Sequence, residues 1–167
     1  MRLFVAFVLF AVMPLLSVAE NRVALPSDYR ESFVEYLSLD RVQNLDQFMR
    51  LFANDIAMQG RDENGLLPDG AVIVAEVYSV QKNEDGTVKT SELGRRIKDQ
   101  LISIAVMEKQ AEFGQSPSSV IKTGNWDFGS YKPNGEAAAK NLNECRACHA
   151  PLKEKDFMFS IEHLPGK

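Results

Sequence analysis

Ala71-Val72-Ile73-Val74-Ala75-Glu76-Val77-Tyr78-Ser79-Val80 is the stretch that decides the fold class of this chain. Val72, Ile73, Val74, Val77, Tyr78 and Val80 are β-branched or aromatic, side chains that fit a pleated, half-buried surface. Turn chemistry bounds the run on both sides, Pro68-Asp69-Gly70 before it and Asn83-Glu84-Asp85-Gly86 after it. The run therefore predicts a strand, and the Gly86 turn predicts a hairpin into Thr87-Val88-Lys89.

Further along, Leu101 to Met107 is a second apolar run rich in Ile and Val, and Trp126-Asp127-Phe128 alternates as a strand does. Toward the N-terminus, Pro26-Ser27-Asp28 reads as a helix start. Tyr29, Phe33, Tyr36 and Leu37 recur at helical spacing, which predicts a helix over 27–38. Residues 45–58 fit two patterns: a helical stripe of Leu45, Phe48, Met49, Phe52 and Ile56, or a strand over Phe48-Met49-Arg50-Leu51-Phe52. Asp62-Glu63-Asn64-Gly65 is a turn, and Gly114 to Ser119 a loop. The charge-rich residues 82–98 suit a solvated face. Glu136 to Asn143 carries Ala137-Ala138-Ala139-Lys140, which predicts a helix. Strands grouped in the middle with a helix near each end predict an α+β fold.

The chain has 167 residues, 45% of them hydrophobic and 25% charged, which excludes collagen-like, coiled-coil and mostly disordered classes. A formal net charge of −4 argues against a nucleic-acid partner, which would require a basic surface. Met1-Arg2, an uncharged run from Leu3 to Leu16, and the small residues of Ser17-Val18-Ala19 follow the order of a secretory signal peptide. A membrane anchor is the alternative, but the run is short of the roughly 20 residues that a span requires, and Pro14 interrupts it. Residues 1–19 are thus expected to be removed, leaving residues 20–167 as a single periplasmic domain of formal charge −5. No later stretch is apolar for long enough to span a membrane.

Both cysteines fall in one pentapeptide, Cys145-Arg146-Ala147-Cys148-His149. This is the attachment pattern of c-type haem. Two thiols at i and i+3 lie on one helical face and reach the two vinyl groups on one porphyrin edge. The histidine that follows becomes the axial ligand of the iron. The joint chance of two cysteines and a histidine falling in this spacing is on the order of one in 10,000 at this composition, so the string is more than a loose match. Three other readings exist. A dithiol redox motif belongs at a helix start after a strand, near the beginning of a βαβ unit, whereas this one comes late. A zinc site needs four ligands, and Cys145, Cys148 and His163 supply three. A plain disulfide would close a very tight loop.

The sixth iron position separates electron carriers from ligand binders. His163 is the one other histidine and lies in a Pro-Gly tail, where a surface position is expected. Met49, Met58, Met107 and Met158 each sit among apolar residues and read as core, as does Trp126. Five-coordinate iron with an open far side is the expectation.

The chain resembles the cytochrome P-460 family, which includes the β-type cytochromes c-prime. The resemblance is carried by Leu25-Pro26-Ser27-Asp28-Tyr29-Arg30, Phe52-Ala53-Asn54-Asp55, Leu67 to Val74, Val106-Met107-Glu108-Lys109, Thr123 to Phe128, and the run from Cys145 through His149-Ala150-Pro151 to Asp156-Phe157-Met158-Phe159. It implies a mainly antiparallel sheet flanked by helices, a homodimer, and one haem c held by Cys145, Cys148 and His149. Some members carry a lysine linked to the porphyrin and oxidise hydroxylamine; others lack it and bind nitric oxide or carbon monoxide behind an apolar cap. In this chain Ala75 stands where the linking lysine would be expected, and the nearest lysine, Lys82, belongs to the polar turn.

The first expectation is accordingly a module that binds NO or CO, its pocket crowded by Phe48, Phe52, Val72 and Val74. The second is a hydroxylamine-oxidising enzyme with Glu76 or Glu108 as base. The third is an electron carrier serving a redox partner protein.

Overall fold

A computed structural model describes residues 22–115 and 120–166; the expected signal segment lies outside the described residues. The Ala71–Val80 run does form a strand, and it is the middle of five. A single antiparallel sheet runs in sequence order through β1 (Val34–Asp40), β2 (Gln47–Ala53), β3 (Val72–Val80), β4 (Lys98–Lys109) and β5 (Trp126–Tyr131). Its helices are short: α1 (Tyr29–Ser32), α2 (Asp55–Met58), α3 (Ala111–Gln115) and α4 (Asn143–His149), with 3₁₀ turns over Ala150–Lys155 and Ile161–His163. The fold is α+β, as expected. Among the described residues, no helix is long and apolar enough to cross a membrane.

The register sorts the side chains onto two faces. Ala53, Ile73, Met107 and Phe128 pair in line across β2 to β5, and Met158, Ile161 and Leu164 of the C-terminal segment cover them. Phe52, Val74, Ile104, Val106 and Tyr131 point the other way, and Val23, Leu25, Tyr29 and Phe33 of the N-terminal segment cover that face. Each end of the chain thus forms one lid of the core.

The helix expected over 27–38 is one turn long. Phe33 is extended and β1 begins directly after it. The apparent helical stripe is divided between the two faces: Tyr29 and Phe33 join one cluster and Tyr36 the other. That is the alternation of an extended chain, with a bulge between Glu35 and Leu37.

The ambiguity over 45–58 resolves into both elements. β2 takes Gln47–Ala53, then Asn54 caps α2 by accepting from the Ala57 N–H at 2.9 Å. The hairpin at Gly86 is present, with Lys82 bridged to Val88. The loop expected from Gly114 begins inside α3, and 116–119 lie outside the described residues.

The alanine-rich stretch is not a helix. Ala137 bridges to Tyr131, and the Ala138 N–H donates to the Ser130 carbonyl at 2.8 Å, so the segment prolongs the edge of the sheet. Pairing to β5 overrides intrinsic propensity, and the helix starts only at Asn143.

Candidate functional site

The seven residues of α4 carry the whole Cys-x-x-Cys-His string. Cys145 is half-buried against the core cluster, Cys148 is exposed, and the two thiols are not joined. Burial pushes the Cys145 thiol up, which keeps it protonated at neutral pH. His149 closes the helix. Its ring lies 4.9 Å from the ring of Phe128 on β5 and 5.1 Å from that of Phe159, edge-on to the latter.

His149 Nδ1 is 2.7 Å from the Phe157 carbonyl oxygen. Burial lowers the pKa of His149, opposed in part by this contact, so the ring is neutral at pH 7. A carbonyl only accepts, so the single proton belongs on Nδ1 and the lone pair on Nε2. A neutral imidazole with its outer nitrogen fixed by a backbone carbonyl is the form in which histidine binds a metal.

Two buried ion pairs brace this region. Arg146, between the two cysteines, is buried; its Nη2 and Nε donate to Asp127 Oδ1 at 2.5 and 3.2 Å, and its Nη1 to Asn143 Oδ1 at 3.0 Å. Arg22 pairs with the other Asp127 oxygen. On the far side of the loop, Lys109 at the end of β4 donates to both Asp156 oxygens at 2.8 and 3.0 Å and to the Leu67 carbonyl at 2.7 Å. The sequence singles out neither pair, because charged residues far apart in the chain carry no mutual signature.

The four residues expected to crowd the pocket lie elsewhere. Phe52, Val72 and Val74 belong to the cluster on the opposite face, and the register puts Phe48, opposite Tyr78, on that face too. The cause is the period of two: even-numbered positions on β2 and β3 turn away from α4. The face that His149 shares carries Leu51, Ile73, Ala75, Ala105, Met107 and Phe128.

Glu76 and Glu108, suggested as bases, also point away from that face. Glu76 is fully buried and accepts from Tyr29 Oη at 2.7 Å, Tyr78 Oη at 2.6 Å, Arg30 Nε at 2.6 Å and Arg50 Nη1 at 3.3 Å. It is a structural hub. Met107, Met158 and Trp126 are core residues, as expected, and His163 is exposed. Among the described residues no three His, Cys, Asp or Glu side chains gather as a metal cage, so Cys145, Cys148 and His163 do not form a zinc site.

The donor set fits a haem: two unbridged thiols one helical turn apart and a neutral histidine with a free Nε2. An antiparallel sheet with such a helix packed against one face presents this donor set on the C-terminal lid. The family model for cytochrome P460 matches residues 26–160, and the chain belongs to the cytochrome P460 family. Membership implies a haem cofactor. No curated relative matches the chain.

Proposed function

We propose that this protein is an exported mono-haem c-type cytochrome that binds a small neutral ligand such as NO or CO. Cys145 and Cys148 would hold the porphyrin by thioether bonds and His149 would ligate the iron through Nε2. Bound haem supplies an iron that changes oxidation state and offers one further coordination position. The observation that carries the reading is the His149 Nδ1 contact with the Phe157 carbonyl, which reserves Nε2 for a metal.

The chain's own residues favour ligand binding over oxidation of hydroxylamine. The strand residues at the centre of the face of His149, Leu51, Ile73, Ala75, Ala105, Met107 and Phe128, are apolar, with Ser130 and Lys109 at its margins, and Ala75 stands where a linking lysine is expected. Glu76 and Glu108 face the other way, so neither is available as a base there. A mainly apolar surface whose Lys109 ammonium is tied to Asp156 favours neutral diatomics over anions. Residues 1–19 would direct export and be removed, the mature domain would be periplasmic, and a homodimer is the expected assembly.

Absorption spectra of the purified protein, oxidised, reduced and with CO, test this together with intact mass. The expected result is a mass gain of one haem and a high-spin reduced spectrum that changes on adding CO. A low-spin spectrum in both oxidation states would refute the open position. Colourless protein with two titratable thiols would refute the haem itself.

A further inference from the structure

Asp156 and Phe157 are consecutive non-glycine residues in the left-handed region, with φ of 48° and 58°. A single such residue is uncommon, and two in a row persist only where the surroundings enforce them. Three contacts do so here. The Phe157 N–H donates to the Leu152 carbonyl at 2.8 Å. The Phe157 ring lies over Gly124, where an added Cβ would come within 2.7 Å of it. The Asp156 carboxylate accepts from Lys109 Nζ and from the Leu67 N–H at 2.9 Å, with Lys109 and Asp156 only 6% and 4% exposed.

The product of this turn is the position of one oxygen. The Phe157 carbonyl meets His149 Nδ1 at 2.7 Å. No residue type near 156 dictates a left-handed pair; the contacts from β4 and from the 67 turn, more than 40 residues away in sequence, do. A buried ion pair is in general weak evidence for stability, since removal from water offsets most of the attraction. Its coincidence with a strained turn that aims a carbonyl at the histidine points to orientation instead.

We propose that Lys109 and Asp156 are positioning residues for His149. Acting through the Phe157 carbonyl, the pair sets the proton position, the tilt and the donor strength of the imidazole toward the metal. A firmly accepted Nδ1 proton makes Nε2 a stronger donor. The inference rests on the reading of His149 as the iron ligand.

The test uses the haem-loaded protein, with resonance Raman spectra of the reduced state for the iron–histidine stretch and a spectroelectrochemical titration for the potential. Lys109→Met should move the stretch to lower wavenumber and the potential to a more positive value, because a weaker donor stabilises the oxidised iron less than the wild-type ligand does. The double variant Lys109→Met/Asp156→Asn leaves no unpaired buried charge and serves where the single variant does not accumulate; the same shifts are expected from it. Tyr36→Phe removes a 2.8 Å contact with Ser160 beside the same core cluster and should lower the melting temperature without moving the stretch. Unchanged stretch and potential in the Lys109 variants, with only the melting temperature lowered, would overturn the proposal and leave the pair a structural one. A wild-type protein that binds haem but shows no iron–histidine stretch would instead overturn the ligand assignment of His149, and the proposal with it.

Discussion

Phe128 shows how one side chain serves both core and site. It is 4% exposed, belongs to the cluster under the C-terminal segment, and packs its ring against that of His149. Truncation of such a residue costs about 3–5 kcal/mol through lost burial and a residual cavity. Phe128→Ala is therefore expected to lower the unfolding free energy, measured by denaturant titration, by that amount and to loosen the histidine, and a loss below about 1 kcal/mol would show that the ring is poorly packed. Tyr29 offers the opposite case. Its hydroxyl donates to the buried Glu76 carboxylate on the far face of the sheet. Tyr29→Phe should cost about 1.5–3 kcal/mol, the range for a hydrogen bond to a charged group, and leave the haem spectrum unchanged. A spectral change in that variant would contradict the separation of the two faces. At this scale the sequence is informative for His149, whose neighbours Cys145 and Cys148 announce it. It is silent on the Phe157 carbonyl, because a backbone oxygen aimed by a left-handed turn leaves no residue-type signature.

At the scale of elements, the strands were legible where β-branched runs met turn residues, as over Val72–Val80 and Lys98–Lys109. The expected N-terminal helix failed because Tyr29, Phe33 and Tyr36 satisfy a period of 3.6 on paper while serving two different lids. The alanine-rich segment failed because a sheet edge offered its backbone hydrogen bonds that a short isolated helix could not match. The helix that matters is α4, and seven residues do not hold themselves in place. Arg146 docks it on β5 through Asp127, a contact that also shows what the first variable position of the Cys-x-x-Cys-His string does in this chain. Arg146→Ala leaves Asp127 with Arg22 as its ionic partner and the Phe128 N–H as a donor, and is expected to cost about 3–5 kcal/mol, as does breaking other buried pairs. The double variant Arg146→Met/Asp127→Leu should recover much of that loss, because both fully buried charges are then gone and Arg22, which loses Asp127, keeps its contact with water. Urea unfolding of both variants measures the difference. Equal losses in the two would show that Arg146 acts through shape and not through the ion pair.

The molecule as a whole is a sheet with two chemically different lids. The C-terminal lid carries the thiols and histidine over a face that is apolar at its centre and bears Lys109 and Ser130 at its margins; the N-terminal lid covers a face whose centre is a buried carboxylate. The pH dependence of stability follows from the second. Burial alone would raise the Glu76 carboxyl, but hydrogen bonds from Tyr78, Tyr29 and Arg30 outweigh it, and the pKa lies below the ordinary 4.5. Glu35 is also lowered, chiefly by its hydrogen bond from Arg50. A carboxyl with a lower pKa folded than unfolded contributes stability that is complete above the unfolded value and disappears as pH falls through the folded one. The two tyrosines are the leading hydrogen-bond donors among the groups that hold Glu76 in its charged form, ahead of Arg30, so the comparison that isolates them is between wild type and Tyr29→Phe/Tyr78→Phe. The gap in unfolding free energy between these proteins should be widest near neutral pH and should narrow as pH falls through the range where Glu76 takes up a proton in the folded variant but not yet in the folded wild type, the unfolded state being common to both. Taking the difference cancels His149, whose lowered pKa erodes the stability of the haem-free protein below the ordinary 6.5 in both proteins alike. Denaturant titrations at half-unit steps of pH measure the gap. A gap that keeps its full size down to pH 3 would mean that the tyrosines stabilise Glu76 equally with and without its proton, and the buried hub would then be a network of neutral hydrogen bonds.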